Sequence, residues 1–465
     1  MAKDRIPTSR ISRTARVTGL AAGQAARQLG TATANLTRDE EGKQKALERR
    51  QIETAEQIVA ALGTMKGAAM KLGQVMSFLD VGLVPPEYRE QFQAKLAELR
   101  DAAPKVAFKD MKKVIEQEYG EKIEDVFETF DPVPVAAASI GQVYRARLDD
   151  GRDVAVKVQY PGVGAAVRAD MQNLGMILRL MKSIAPGLDP KSMAAEIRSR
   201  IDEELDYELE AQNQRRIARL VRGHPFLSVP RVRTDLSTQR VLVTEYVEGE
   251  GFEAVRRADE ATRDRYGEIV FRFFFGLLYR DRIALGDPHP GNYFLRPDGG
   301  VCFLDFGLLR DIDRDHVAAE VAIALGARAK DAAGLKAALV AGGYLPPDRA
   351  DAVDAELALR LMRSAIRWYA VPGERRFSTE RGPRERNGDR PDAEQRAEIR
   401  DQINQFTLPP ASVLIRRMHA MVAIVLYNLR AGADWGAIAA EYLHGEPPAT
   451  ALGEAEADWL RSRGR

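Results

Sequence analysis

Apolar residues recur at helical spacing from Glu40 to Arg100, with Ile52, Ala55, Ile58, Val59 and Leu62 sharing one face. Val84-Pro85-Pro86 breaks that run, and a second helix continues through Phe92, Leu96 and Leu99. Between Val133 and Gln159 the pattern shortens to a strand period, and Asp150-Gly151 marks a hairpin ahead of Val154-Ala155-Val156-Lys157-Val158. Helical spacing returns from about Gly164 to Val221, interrupted near Pro186 to Pro190. Strands are predicted at Val229 to Arg233 and Arg240 to Tyr246, and a helix from Ala258 to Ile283. Two short apolar strands, Tyr293 to Leu295 and Val301 to Leu304, flank the turn Pro297-Asp298-Gly299-Gly300. A β-rich lobe followed by a helical lobe is an α+β pattern.

Composition narrows the class. The 465 residues include 69 Lys and Arg against 68 Asp and Glu, so no global field favours nucleic acid. A single cysteine, Cys302, excludes an internal disulfide and is read as a small core residue. No secretory signal is expected, because the N-terminus lacks a continuous apolar core. Met418 to Leu429 is the nearest approach to a spanning segment and is read as a core helix. Any membrane contact is therefore expected to be peripheral or through a partner. Lys3, Arg5, Arg10, Arg13, Arg16 and Arg27 face one acid, Asp4, so residues 5–30 are a candidate basic helix for an anionic surface. Arg416-Arg417 is read as a solvated helix face, with a lipid headgroup as the alternative. The stretch from Pro372 to Glu398 is charged and turn-rich, which predicts a flexible loop.

Chemistry enters at Asp305-Phe306-Gly307, where a carboxylate closes the strand Val301-Cys302-Phe303-Leu304 and can hold Mg²⁺ against phosphate oxygens. Upstream stands Asp287-Pro288-His289-Pro290-Gly291-Asn292. Its Asp and Asn have the spacing of a kinase catalytic loop, the first orienting the acceptor hydroxyl and the second binding metal. Lys157 sits on a strand as a phosphate-pairing lysine does, and Ala155 on the same strand is counted with it among the nucleotide-binding residues. Ala136-Ala137-Ala138-Ser139-Ile140-Gly141-Gln142-Val143 occupies the place of a Gly-rich phosphate loop, with Ala restricting the backbone where Gly would not. The strand Val241 to Thr244 runs into a hinge at Glu245, Tyr246 and Val247, whose backbone would bind adenine. These motifs follow in the order of a protein kinase.

Lys71-Leu72-Gly73-Gln74, the Ala-rich loop and Glu204-Leu205-Asp206-Tyr207-Glu208-Leu209-Glu210 resemble the UbiB (AarF) family of atypical kinases. The resemblance implies a bilobal protein-kinase-like α+β fold. It adds an N-terminal helical extension packed over the active site and a helical C-terminal addition. It implies that Lys71, with Gln74 beside it, projects into the site and excludes protein substrates. It also implies that Glu204 of the E-x-D pair Glu204/Asp206 partners Lys71, and that Glu210 pairs with Lys157. Asp287, Asn292 and Asp305 keep their kinase roles. Leu285 and Gly286 depart from the usual pattern before Asp287, since kinases place polar residues there.

The expected organisation is a basic leader (1–40), a helical extension (41–105), an N-lobe with inserted helices (106–250), a C-lobe (251–370), a charged loop (371–402) and C-terminal helices (403–465). The expected activity is that of an atypical kinase or ATPase using ATP or ADP with Mg²⁺, supporting isoprenoid quinone or other prenyl-lipid biosynthesis. A prenyl-lipid or quinone precursor is the expected partner, and the cytoplasm or the inner face of a membrane the expected location. The alternatives are a nucleotide-gated scaffold with little turnover and a Ser/Thr protein kinase.

Overall fold

The computed structural model describes residues 106–138, 140–168, 198, 202–377, 398–399 and 401–464. Lys71, Gln74, Ser139, the basic leader, the helical extension and most of the 371–402 loop lie outside them. The chain divides into two units. The first holds the described residues up to Ala211 together with Val232–Tyr246; the second holds Gln212–Arg231 and Val247 onward.

The first unit is built on an antiparallel sheet. Helices α1 (Phe108–Tyr119) and α2 (Ile123–Val126) precede strands β1 (Thr129–Phe130), β2 (Ala136–Ala138), β3 (Gly141–Arg147) and β4 (Asp153–Gln159). Helix α3 (Tyr207–Leu220) begins here and continues into the second unit, where β5 (Leu227–Ser228) follows; β6 (Val241–Glu245) returns to the sheet. The strand order is β1-β3-β4-β6, with β2 also on β3. Gly151, at φ 82°, lets the chain reverse between β3 and β4. Alternation on β4 buries Val154, Val156 and Val158 and turns Ala155 and Lys157 to the other face. Gly141 is required by a close approach: a Cβ there would lie 2.1 Å from the Val158 carbonyl oxygen.

The second unit surrounds helix α5. Its elements are α4 (Phe252–Arg257), α5 (Glu260–Tyr279), β7 (Ile283–Leu285), β8 (Tyr293–Leu295), β9 (Val301–Phe303), β10 (Leu309–Asp311), α6 (Arg314–Ala329), α7 (Ala332–Ala341) and α8 (Ala355–Ala370). Then come β11 (Arg375–Arg376), α9 (Pro410–Leu429), β12 (Gly432–Ala433), α10 (Trp435–Leu443) and α11 (Ala451–Ser462). Asp259 caps α5 by accepting the Thr262 amide at 2.7 Å. Phe271, Phe273, Phe274 and Phe275 are all buried, so the second half of α5 is enclosed on every side, as a central helix must be. Cys302 is buried in β9. By length and composition α9 could cross a membrane, yet half of its apolar stretch is buried within this unit, as a core helix would be.

A buried ion cluster joins α5 to α10 and α11. Arg272 has no solvent exposure and donates to Glu268 (2.7 Å), Glu441 (2.8 Å), Glu456 (3.2 Å) and Thr450 (2.9 Å). Burial pushes the Glu456 carboxyl up, but His224, Arg280, Tyr442 and Arg272 outweigh it and hold its pKa down at about 2. The unfolded chain binds the proton near the ordinary value of 4.5, so this stabilisation is complete above 4.5 and is lost as pH falls towards 2. Urea midpoints are expected to drop over that window and to drop less in Glu456→Gln. Equal pH slopes in the two proteins would contradict this.

Candidate functional site

In the first unit the central feature is an ion pair. Lys157 Nζ lies 2.6 and 2.9 Å from the two Glu210 carboxylate oxygens, with 20% of the lysine side chain and 5% of the glutamate side chain exposed. Position on β4 turns the lysine away from the buried valines. Glu210 comes from the first turns of α3, whose start is held in three ways. Asp206 caps the helix by accepting the Glu208 amide at 3.0 Å and the Leu209 amide at 3.1 Å. The Tyr207 amide donates to Gln239 O at 3.0 Å. Gln159, at the end of β4, donates to Leu205 O at 2.8 Å and so ties the strand to the helix entry. The Tyr207 ring lies 4.9 Å from Lys157 Nζ, close enough for a cation–π contact. The carboxylate and the aromatic face together hold the cation in one place.

The other residues proposed for nucleotide binding are distributed unevenly. Ala136, Ala137 and Ala138 form a strand, paired with Val143, Gln142 and Gly141, instead of an open loop. The physical reason is ladder formation: small side chains fit a hairpin edge, and the backbone is paired instead of draped. Ile140 and Gln142 are buried, and Gln142 accepts the Tyr144 hydroxyl at 2.5 Å. The Tyr246 amide donates to Asp153 O at 3.1 Å, so that donor already serves the sheet. The chain passes from the first unit to the second between Tyr246 and Val247.

In the second unit, backbone pairing sets the acidic loop. β7 pairs with β10, Leu285 opposite Leu309, and β8 pairs with β9 in a hairpin. The Leu304 amide donates to Asn292 O at 2.8 Å, bringing the residue before Asp305 against Asn292. The Asn292 side-chain amide donates to Asp287 O at 3.3 Å, and the buried Tyr293 hydroxyl donates to Pro288 O at 3.3 Å. Asp305 Oδ1 accepts the Gly307 amide at 3.0 Å, while Phe306 is buried and its carbonyl accepts Asn213 Nδ2 at 3.0 Å. Leu285 is buried in apolar surroundings, which accounts for the missing polar residue there. His289 Nδ1 accepts the Gly291 amide at 3.1 Å, a turn-capping role. Asn292 and Asp305 offer hard oxygen donors, the kind Mg²⁺ takes from a protein when phosphates and water complete its shell, so the residues fit that ion.

The two arginines read as a solvated helix face lie on α9. Arg416 is not on a solvated face: its Nη2 lies 2.6 Å from Glu320 Oε2 and its Nε donates to the Tyr344 hydroxyl at 3.0 Å. Arg417 approaches Asp287, Nη2 to Oδ1 at 3.9 Å. A pair of arginines next to an apolar run was the only sequence signal.

The ABC1 atypical kinase-like domain matches residues 98–339. The chain belongs to this atypical kinase-like family. Among similar proteins, the atypical kinase coq-8, mitochondrial, of Caenorhabditis elegans is 34% identical over 325 residues, covering 67% of this chain and 42% of that protein. AarF domain-containing protein kinase 1 of Xenopus laevis is 36% identical over 253 residues, covering 52% and 47%. The chain thus spans about half the length of these curated relatives. A solved structure, the Rv3197–erythromycin complex from Mycobacterium tuberculosis, is 29% identical with a TM-score of 0.59. It covers 86% of this chain and 98% of that one. The atypical-kinase relatives and this structure agree on a kinase-like α+β fold. Within this family member, Glu204 lies part-buried just ahead of the Asp206 cap.

Proposed function

We propose that this atypical kinase-like chain binds ATP or ADP with Mg²⁺ and transfers the terminal phosphoryl group to water or a small molecule. We further propose that this supports isoprenoid quinone or other prenyl-lipid biosynthesis. The observation that carries the reading is the Lys157–Glu210 pair, a strand lysine held by a helical glutamate as kinases hold the lysine that meets the phosphates. Lys157 receives the phosphates, Asn292 and Asp305 hold the metal, and Asp287 orients the acceptor. A Mg²⁺ held by Asn292 and Asp305 would supply positive charge against the phosphates. Lys71 and Gln74 would keep protein substrates out, with Glu204 answering the Lys71 charge. A peripheral place on an anionic membrane follows from the basic residues 5–30, and four relatives carry "mitochondrial" in their names.

Titration calorimetry with ATP and ADP, with and without Mg²⁺, tests the binding part. Lys157→Met is expected to weaken nucleotide binding by on the order of 10- to 100-fold, the size of a lost charge-assisted contact. Erythromycin belongs in the same titration series, because the mycobacterial relative was solved in complex with it. Affinity for nucleotide that is equal in wild type and Lys157→Met would overturn the assignment.

A further inference from the structure

The C-terminal helix α9 reaches the loop that carries Asp287. Arg417 Nη2 lies 3.9 Å from Asp287 Oδ1, with 15% and 22% of the two side chains exposed. Its neighbour Arg416 turns elsewhere, into a cluster formed by Glu320, Tyr344 and Tyr369. Successive helical residues point about 100° apart, so anchoring Arg416 sets the direction in which Arg417 leaves the helix. The approach of α9 is tight: a Cβ on Gly286 would lie 3.0 Å from Leu414 Cδ1 and 3.0 Å from Leu308 Cβ. The segment Gly286–Asn292 contains no Lys or Arg, and glycine stands directly before Asp287 where ordinary kinases carry arginine. A guanidinium therefore comes to this loop from an element far along the chain.

We propose that Arg417 is a positioning residue for Asp287, through which the seating of α9 sets the rate of phosphoryl transfer and not the affinity for nucleotide. This rests on the phosphotransfer reading given above. A neighbouring guanidinium restricts the rotation of the carboxylate and so presents one of its oxygens to the acceptor hydroxyl. Small misplacements of such a group cost about 10²-fold in rate. A loose, metaphosphate-like transition state asks more for orientation of the acceptor than for base strength.

The test uses Arg417→Met and Arg417→Lys in the full chain. Arg417→Met is expected to lower kcat by about 10- to 100-fold while the Kd for Mg²⁺-nucleotide stays within about twofold, and Arg417→Lys is expected to recover most of the rate. A structural role alone would move kcat, Kd and Tm together and give no rescue by lysine, which would overturn the proposal. A thermal double-mutant cycle of Arg417→Met with Asp287→Asn reads the contact without turnover: shifts in Tm smaller in combination than their sum support it, and additive shifts overturn it. Wild-type turnover with an unaffected Arg417→Met defeats this proposal alone. A wild-type chain with no turnover defeats the phosphotransfer reading as well.

Discussion

Asp305→Asn is expected to lower nucleotide turnover by on the order of 10³-fold while leaving the fold in place. The carboxylate is the charged metal ligand of the proposed set, and an amide oxygen neutralises no charge on Mg²⁺. The fold survives for a local reason. Asp305 Oδ1 accepts the Gly307 amide at 3.0 Å, and asparagine keeps an oxygen able to do the same. Phe306 remains buried with its carbonyl on Asn213. Stability is therefore expected to change by about 1 kcal/mol or less. Turnover and urea midpoints measured on one preparation check both halves. Turnover within a few-fold of wild type would remove Asp305 from the metal site.

Glu210→Gln is the second large effect, and it falls on stability. Removing one member of a buried pair leaves the other uncompensated, at a cost of about 3–5 kcal/mol. Here about 2–3 kcal/mol is expected, because Lys157 keeps 20% of its side chain in solvent and can recover some hydration. The double variant Lys157→Met with Glu210→Gln is expected to be more stable than Glu210→Gln alone, since no charge then stands alone in that setting. Chemical denaturation of the two variants decides it. A double variant as unstable as, or less stable than, the single would show that packing and not charge governs the site.

Much of this arrangement is legible in the sequence, for identifiable reasons. Alternation along Val154-Ala155-Val156-Lys157-Val158 places a lysine opposite buried valines, and β4 follows that pattern. The turn Pro297 to Gly300 between two apolar runs yields the β8–β9 hairpin. Glu210 is different: 53 positions separate it from Lys157, so periodicity cannot join them and only the family resemblance points there. Asp206 shows how one residue carries two signals. It fits an E-x-D motif, yet an aspartate just before an amphipathic helix is also a capping signal, and capping is the contact it makes. The place of the Ala-rich segment suggests a phosphate loop, but its three alanines pair as a strand opposite Val143, Gln142 and Gly141. The two arginines of α9 were beyond reach. Which of them turns inward depends on Glu320 and Asp287, both distant in the chain, and no local pattern encodes that choice.

Movement of the terminal phosphoryl group of a bound nucleotide, as proposed, is tested most directly by steady-state phosphate release from ATP with Mg²⁺, run with and without anionic liposomes and a phenolic quinone-precursor mimic, with Asp305→Asn as the control. Release is expected to rise with these additions and to vanish in Asp305→Asn. Tight nucleotide binding with no release above that of Asp305→Asn under any condition would contradict phosphoryl transfer and leave a nucleotide-gated scaffold in its place.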